Sequence, residues 1–309
     1  MNSLQLTVIV LISLFPLLYA AFHERKSIAF GYLRYVVLVL TSALFLAPFA
    51  WLLCSAFKGR SVLMEYTFLP PMRLWSPAAI NLGSFRTLFA GENSPGGTVY
   101  FWQYIVNSVF LASTATVVQM FFSSMGGYAL AVYRFRGRGF LLGFMLSSMT
   151  IPGMILLAPV YGLIYRIGWM DSYLALIVPG ACSAFGMFLF RQAIMDIPSS
   201  LIEAARIDGC NEFRIYYHVI MPLVRPLTSV FCLVTFLGTW NGFLGPQIFI
   251  KSQAKLTLPV VLSQYVGLYM QDYGVFLAGT LLAILPPAIL FFALQKEFVS
   301  GLTRGAVKG

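Results

Sequence analysis

Seven stretches of this chain, residues 1–22, 35–57, 93–133, 139–165, 172–190, 226–250 and 273–295, contain no charged side chain. Each reaches the roughly 18 residues that a helix needs to cross the hydrocarbon of a bilayer. Backbone polar groups must be satisfied within lipid, which leaves helices or a closed barrel. A barrel would alternate over segments of about ten residues, whereas these runs are solidly apolar. The expectation is therefore an all-α, polytopic membrane protein. Only 10% of the residues are charged, against roughly 25% in soluble domains, which agrees.

The formal charge is +10. Its distribution reads as topology. Segments 23–34, 134–138, 191–225 and 296–309 hold 13 of the 20 Lys and Arg, and the longer intervening segments hold 7. This asymmetry places the first set, including the polar interval 191–225, in the cytoplasm. The cations form no basic face interleaved with aromatics, so lipid is the expected partner and nucleic acid is not. Run 1–22 has no Lys or Arg before it and is followed by His23, Glu24, Arg25 and Lys26. That order argues against a cleaved secretory signal and for an outside N-terminus. A helix lying in the interface is the alternative, against which stands the lack of a polar face. The chain thus divides into an extra N-terminal span, 1–28, and a transmembrane domain, 29–309, with a cytoplasmic loop at 193–225.

Within that loop, Ser200 followed by Glu203 has the spacing of a capping box, which predicts a helix over Leu201 to Asp208. Gly209 is suited to the left-handed residue just beyond its end. Ala204 and Ala205 have little bulk and permit close approach by another surface. A Glu203–Arg206 pair on a solvated helix is the plain alternative. Residues Asn211 to His218 can form a second short helix before Pro222 and Pro226.

The span from Gln103 carries Asn107, Ser108, Thr114, Thr116, Gln119, Ser123 and Ser124, followed by Gly126 and Gly127. Such residues in a membrane helix serve helix contacts or line a wet path. Asn107 and Gln119 are the path candidates taken from this set. Trp240 and Asn241 stand near the outer end of their span. They can meet a sugar by stacking and hydrogen bonding, while Trp is also the ordinary interface anchor, the reading favoured for Trp240. Ile151, Pro152 and Gly153, with Pro159, should bend or break the span they interrupt.

Glu203, Ala204, Ala205, Asp208 and Gly209, with Met221 and Pro222 after a fixed gap, resemble the EAA loop of the membrane-spanning subunits of bacterial ABC importers. Cys210 and Met221 replace the usual Ala and Leu. Trp240-Asn241 and the ending Phe298 to Gly309 are similar to the carbohydrate-uptake group, to which the smaller permease of the maltose importer belongs. The resemblance covers about 35–309. It implies a six-helix permease core, to which 1–28 adds one helix, in the bacterial cytoplasmic membrane. It also implies that Glu203, Ala204, Ala205, Asp208, Gly209 and Pro222 couple the chain to an ATPase dimer holding ATP and Mg. A second homologous permease, an extracytoplasmic solute-binding protein and a sugar substrate are implied too, with transport by alternating access. Another solute, such as glycerol-phosphate or an amino acid, is the alternative.

The chain has no G-x-x-x-x-G-K-[ST] sequence, so a P-loop is excluded and ATP hydrolysis falls to a partner. His23 and His218 are the only histidines and offer no catalytic metal set; no catalytic residue or cofactor is expected in this chain. The four cysteines, Cys54, Cys182, Cys210 and Cys232, lack a disulfide spacing. No charge lies deep in an apolar run, which disfavours an ion-coupled transporter or a membrane-embedded enzyme. Outside, seven cations (Lys58, Arg60, Arg73, Arg86, Arg166, Lys251, Lys255) face four acids (Glu65, Glu92, Asp171, Asp272). Such a field favours an acidic oligosaccharide or an acidic docking surface on the binding protein.

Overall fold

A computed structural model describes residues 26–267 and 271–306, with side chains over 30–267 and 271–297. The apolar run 1–22 lies outside the described residues. Two compact units meet in sequence between Ser84 and Phe85. In the first, helix α1 (Lys26–Ala56) carries Pro48 within it and exposes Leu44, Phe45 and Leu46. Its length and apolar composition are those of a membrane-crossing helix. Just beyond it, Lys58 is 1% exposed, its ammonium caged by the Ser55 hydroxyl and the carbonyls of Tyr66 and Thr67. Burial lowers its pKa.

The second unit opens with a small antiparallel hairpin, β1 (Glu92–Ser94) and β2 (Gly97–Val99). Helix α2 (Phe101–Val132) follows and is the axis of the unit. It is 32 residues long, about 48 Å at the usual rise, enough to cross the bilayer and project beyond it. Helices α3 (Arg138–Ser148) and α4 (Leu157–Arg166) come next. The chain turns by 94° between α3 and the helical piece that begins at Gly153. This is the bend that Pro152 requires, since proline lacks the N–H to continue a helix and pushes the preceding residue toward extended backbone.

The run 172–190 departs from the expected single span. Only Leu174–Ile177 and then α5 (Ala184–Met195) are helical, with a break around Pro179 and Gly180. Ser183 restarts the helix by accepting a hydrogen bond from the Gly186 N–H at 3.1 Å. Helix α6 (Ser199–Ile207) occupies the polar interval, and the helical segment Glu212–Leu223 follows it, with a π-helical turn at Ile215–Ile220. An 84° turn then leads into α7 (Arg225–Trp240). The run 226–250 is also interrupted, at Asn241 and Gly242, before a short helix at Leu244–Phe249. Helices α8 (Tyr273–Ala283) and α9 (Leu285–Ala306) close the chain.

Among the described residues three helices are long and apolar enough to cross a membrane, or up to five when each bent pair counts as one span. Helix α2 packs along α5 and α7, and α7 packs along α9. The approach of α2 to α5 is close because Gly127 has no side chain. A Cβ there would lie 2.6 Å from Phe190 Cβ and 2.9 Å from the Arg191 nitrogen. One apolar core surrounds Tyr104, Trp240 and Val261, and another surrounds Tyr128, Phe190 and Tyr216.

Candidate functional site

Helix α6 begins two residues earlier than the capping-box spacing predicts, at Ser199 rather than Leu201. Pro198, at φ −56° and ψ 130°, occupies the N-cap position, and no side chain caps the helix. Proline presets the φ of a helix entry, so Ser200 falls inside the first turn, where its hydroxyl cannot act as the cap. The predicted C-terminus is present. Asp208 is the C-cap, Gly209 has φ +79°, and the Cys210 and Gly209 N–H groups donate to the Ala205 and Arg206 carbonyls, each at 3.0 Å. That is a Schellman ending built on the residue that takes positive φ without a Cβ penalty.

The two sides of α6 differ. Ile202 and Ala205 are buried against Ile194, Ile215 and Ile220. Leu201, Glu203, Ala204, Ile207 and Asp208 are exposed, Ile207 at 87%. Glu203 makes no hydrogen bond or ion pair with any described residue, so the alternative Glu203–Arg206 pair is not formed. Of the two alanines, Ala204 leaves room on the outer face and Ala205 fits the helix to its own core. Pro222 is exposed two residues before the turn into α7.

Arg206 turns instead to Glu212, its Nε donating to Oε1 at 2.9 Å. The other carboxylate oxygen accepts from the Tyr128 hydroxyl at 2.8 Å and the Tyr133 hydroxyl at 2.9 Å. Glu212 starts its helix behind the Asn211 N-cap, where the dipole favours a negative charge. Its carboxyl is held below the usual range by the Arg206 hydrogen bond, against the opposing effect of burial, with help from both tyrosines. Nearby, the Tyr216 and Ser124 hydroxyls share a buried 2.7 Å hydrogen bond. Nothing local in the sequence marks Glu212, because its two tyrosine partners stand more than 75 residues away.

Higher on α2, Gln119 faces a cavity of about 540 Å³ lined also by Ala115, Ile177, Ser183, Val234 and Thr235. Its amide donates to the Gly180 carbonyl at 2.7 Å and accepts from the Thr235 hydroxyl at 3.1 Å. The broken helix thus brings an unwound backbone carbonyl to the cavity, where it is satisfied by a side chain from another element. Among the described residues no charged side chain lines the cavity.

The other path candidates stand elsewhere. Asn107 donates to the carbonyls of Ala254 and Leu256 at 2.8 and 3.0 Å and so holds a loop. Trp240 is 4% exposed and stacked on Phe236, with ring centroids 5.8 Å apart. The interface-anchor reading of Trp240 is therefore corrected, since the indole is enclosed by its own core. Asn241 is exposed at the end of α7 but does not line the cavity.

Asp171 fixes the turn after α4. It adopts φ +59°, accepts from the Lys251 and Ser252 N–H groups at 2.9 and 2.8 Å, and pairs with Lys255 at 2.9 Å. Burial alone would raise its pKa, but the donors of Ser252, Lys255 and Lys251 hold the carboxyl well below the usual range.

Comparisons with known proteins agree with this layout. The model of the family described as binding-protein-dependent transport system inner membrane component matches residues 120–304. The arabinooligosaccharides transport system permease protein AraQ of Bacillus subtilis is 35% identical over 271 residues, covering 88% of this chain and 93% of that protein. The lactose transport system permease protein LacG of Rhizobium radiobacter is 30% identical, covering 89% of this chain and 95% of that one. A chain from the crystal structure of a bacterial ABC transporter involved in the import of the acidic polysaccharide alginate superposes with a TM-score of 0.75 at 22% identity. That alignment spans 89% of this chain and 98% of the other, and shows a shared fold. The match over 120–304 takes in the polar interval with α6, the cavity-lining Gln119 lies one residue before it, and the chain belongs to the binding-protein-dependent transport system inner membrane components.

Proposed function

We propose that this chain is a permease subunit of a bacterial ATP-driven importer for an oligosaccharide. It pairs with a second similar permease, receives sugar from an extracytoplasmic binding protein and rests through α6 on an ATPase dimer that holds ATP and Mg. The observation that carries the reading is the two-sidedness of α6. Its inner face is packed into the permease, while Leu201, Ala204 and Ile207 form a bare apolar strip beside an unpaired Glu203. An apolar centre with a charge at its edge is the anatomy of a protein interface.

The sugar class rests on the relatives named for arabinooligosaccharide and lactose transport. The cavity fits a substrate of that kind, with the amide of Gln119 and the hydroxyls of Thr235 and Thr239 among apolar walls. The outer surplus of cations speaks chiefly to docking. Lys58 is buried, Lys255 is paired with Asp171, and neither lines the cavity. The test is purification of the chain from its native membrane, followed by reconstitution. A copurifying ATPase and ATP-dependent uptake of an oligosaccharide are expected. Comparing neutral and acidic sugars of equal length at low and high salt separates sugar preference from docking, since docking alone is screened beyond about 8 Å at physiological salt. Purification without an ATPase would overturn the reading.

A further inference from the structure

Glu212 is tied to two elements that have no covalent reason to move together. From one side it takes Arg206 of α6; from the other it takes Tyr128, on the last turns of α2, and Tyr133, the C-cap of α2. The rings reinforce the joint, with Tyr128 edge-on to Tyr133 at 6.0 Å and tilted against Tyr216 at 5.7 Å. Beneath it, the Ser124–Tyr216 hydrogen bond fastens the Glu212–Leu223 segment to α2 a second time. Following α2 upward from Tyr128 by nine residues, about 13 Å, reaches Gln119 in the cavity wall. An α-helix with its ladder intact is stiff over that distance.

We propose that Glu212 is a positioning residue that pins α6 and the Glu212–Leu223 segment to α2, so that the three move as one body. A displacement imposed on α6 then reaches Gln119 and the cavity through α2, without depending on the loops. The inference rests on the reading of α6 as the docking element. It assigns the transmitting contact to Glu212, leaving Glu203 free for the partner.

The test uses the complex purified with its ATPase, with Cys54, Cys182, Cys210 and Cys232 replaced by Ala and spin labels on Ser200→Cys and Val117→Cys, both at exposed positions. The inter-label distance is measured without nucleotide and with ATP plus vanadate, which needs no knowledge of the sugar. The distributions of the otherwise unchanged chain should superimpose. In Glu212→Ala the distribution should shift or broaden with ATP and vanadate. Basal ATP hydrolysis should persist, while uptake per ATP falls by about fivefold or more. Glu212→Gln, which keeps an oxygen for both tyrosines, should recover part of that loss. A changed distance in the chain with Glu212 intact would overturn the inference, even if Glu212→Ala failed to fold. So would an unchanged ratio of uptake to ATP in Glu212→Ala. Absence of a copurifying ATPase would instead strike the functional reading itself and take this inference with it.

Discussion

The guanidinium of Arg206 lies against Glu212, at 2.9 Å, and not against Glu203 three residues before it on the same helix. This arrangement divides labour between two acids in one loop. Glu212 is used up inside the chain, accepting three hydrogen bonds, and Glu203 is left facing outward.

Glu203→Ala should therefore abolish uptake while the chain still folds and inserts. An exposed side chain without a partner changes stability by about 0.5 kcal/mol at most. Membrane abundance and melting temperature are the controls, and normal uptake would show that α6 does not couple through this residue.

Gly209→Val should fail differently, because φ +79° at that position penalises a branched side chain. The cost is about 1–2 kcal/mol, enough to move the Schellman ending and misplace Asp208 and Cys210. Uptake should be lost with a modest fall in melting temperature. Retention of both would mean that the backbone there adapts freely.

Gly127→Val addresses packing alone. The new Cβ meets Phe190 Cβ at 2.6 Å and backbone atoms at 2.9 Å, none of them the end of a flexible chain. Forcing α2 from α5 should cost about 1–3 kcal/mol, read as a lower melting temperature of the detergent-solubilised protein. An unchanged melting temperature would contradict the close approach.

The turn held by Asp171 should respond to acid. The Asp171 carboxyl is depressed by Ser252, Lys251 and Lys255, so it contributes stability that is fully present above the ordinary aspartate value of 3.8 and is lost as pH falls through its lower folded value. Asp171→Asn should keep the acceptor for the two backbone N–H groups and tolerate φ +59°, losing chiefly the Lys255 pair. Asp171→Leu should lose all of these. Limited proteolysis of the 166–173 turn in the detergent-solubilised protein should rank the leucine variant as most sensitive; equal sensitivity would remove Asp171 from this role.

Much of this architecture was legible in the chain because its main signals are local. Charge-free runs announce helices, Pro152 announces a bend, and Gly209 a left-handed end. The misreadings arose where a neighbour or a distant partner decides. Ser200 has the spacing of a cap, but Pro198 starts the helix before it. Trp240 has the composition of a boundary anchor, yet Phe236 and the surrounding core enclose it. The break near Gly180 was written in Pro179 and Gly180, though an unbroken absence of charge concealed it. Glu212 gave no local sign, since Tyr128 and Tyr133 reach it only once the chain has folded back.

The bare strip on α6 has a cellular consequence. Ile207, 87% exposed, and Leu201, 44% exposed, are the apolar side chains that a docked partner would cover. A cell that makes this chain in excess of its partner displays that strip on every surplus copy, where chaperones and proteases recognise exposed apolar residues. If α6 docks as proposed, the side chains that seat it on its partner would also mark an orphan copy for removal, and subunit balance would be kept by its degradation.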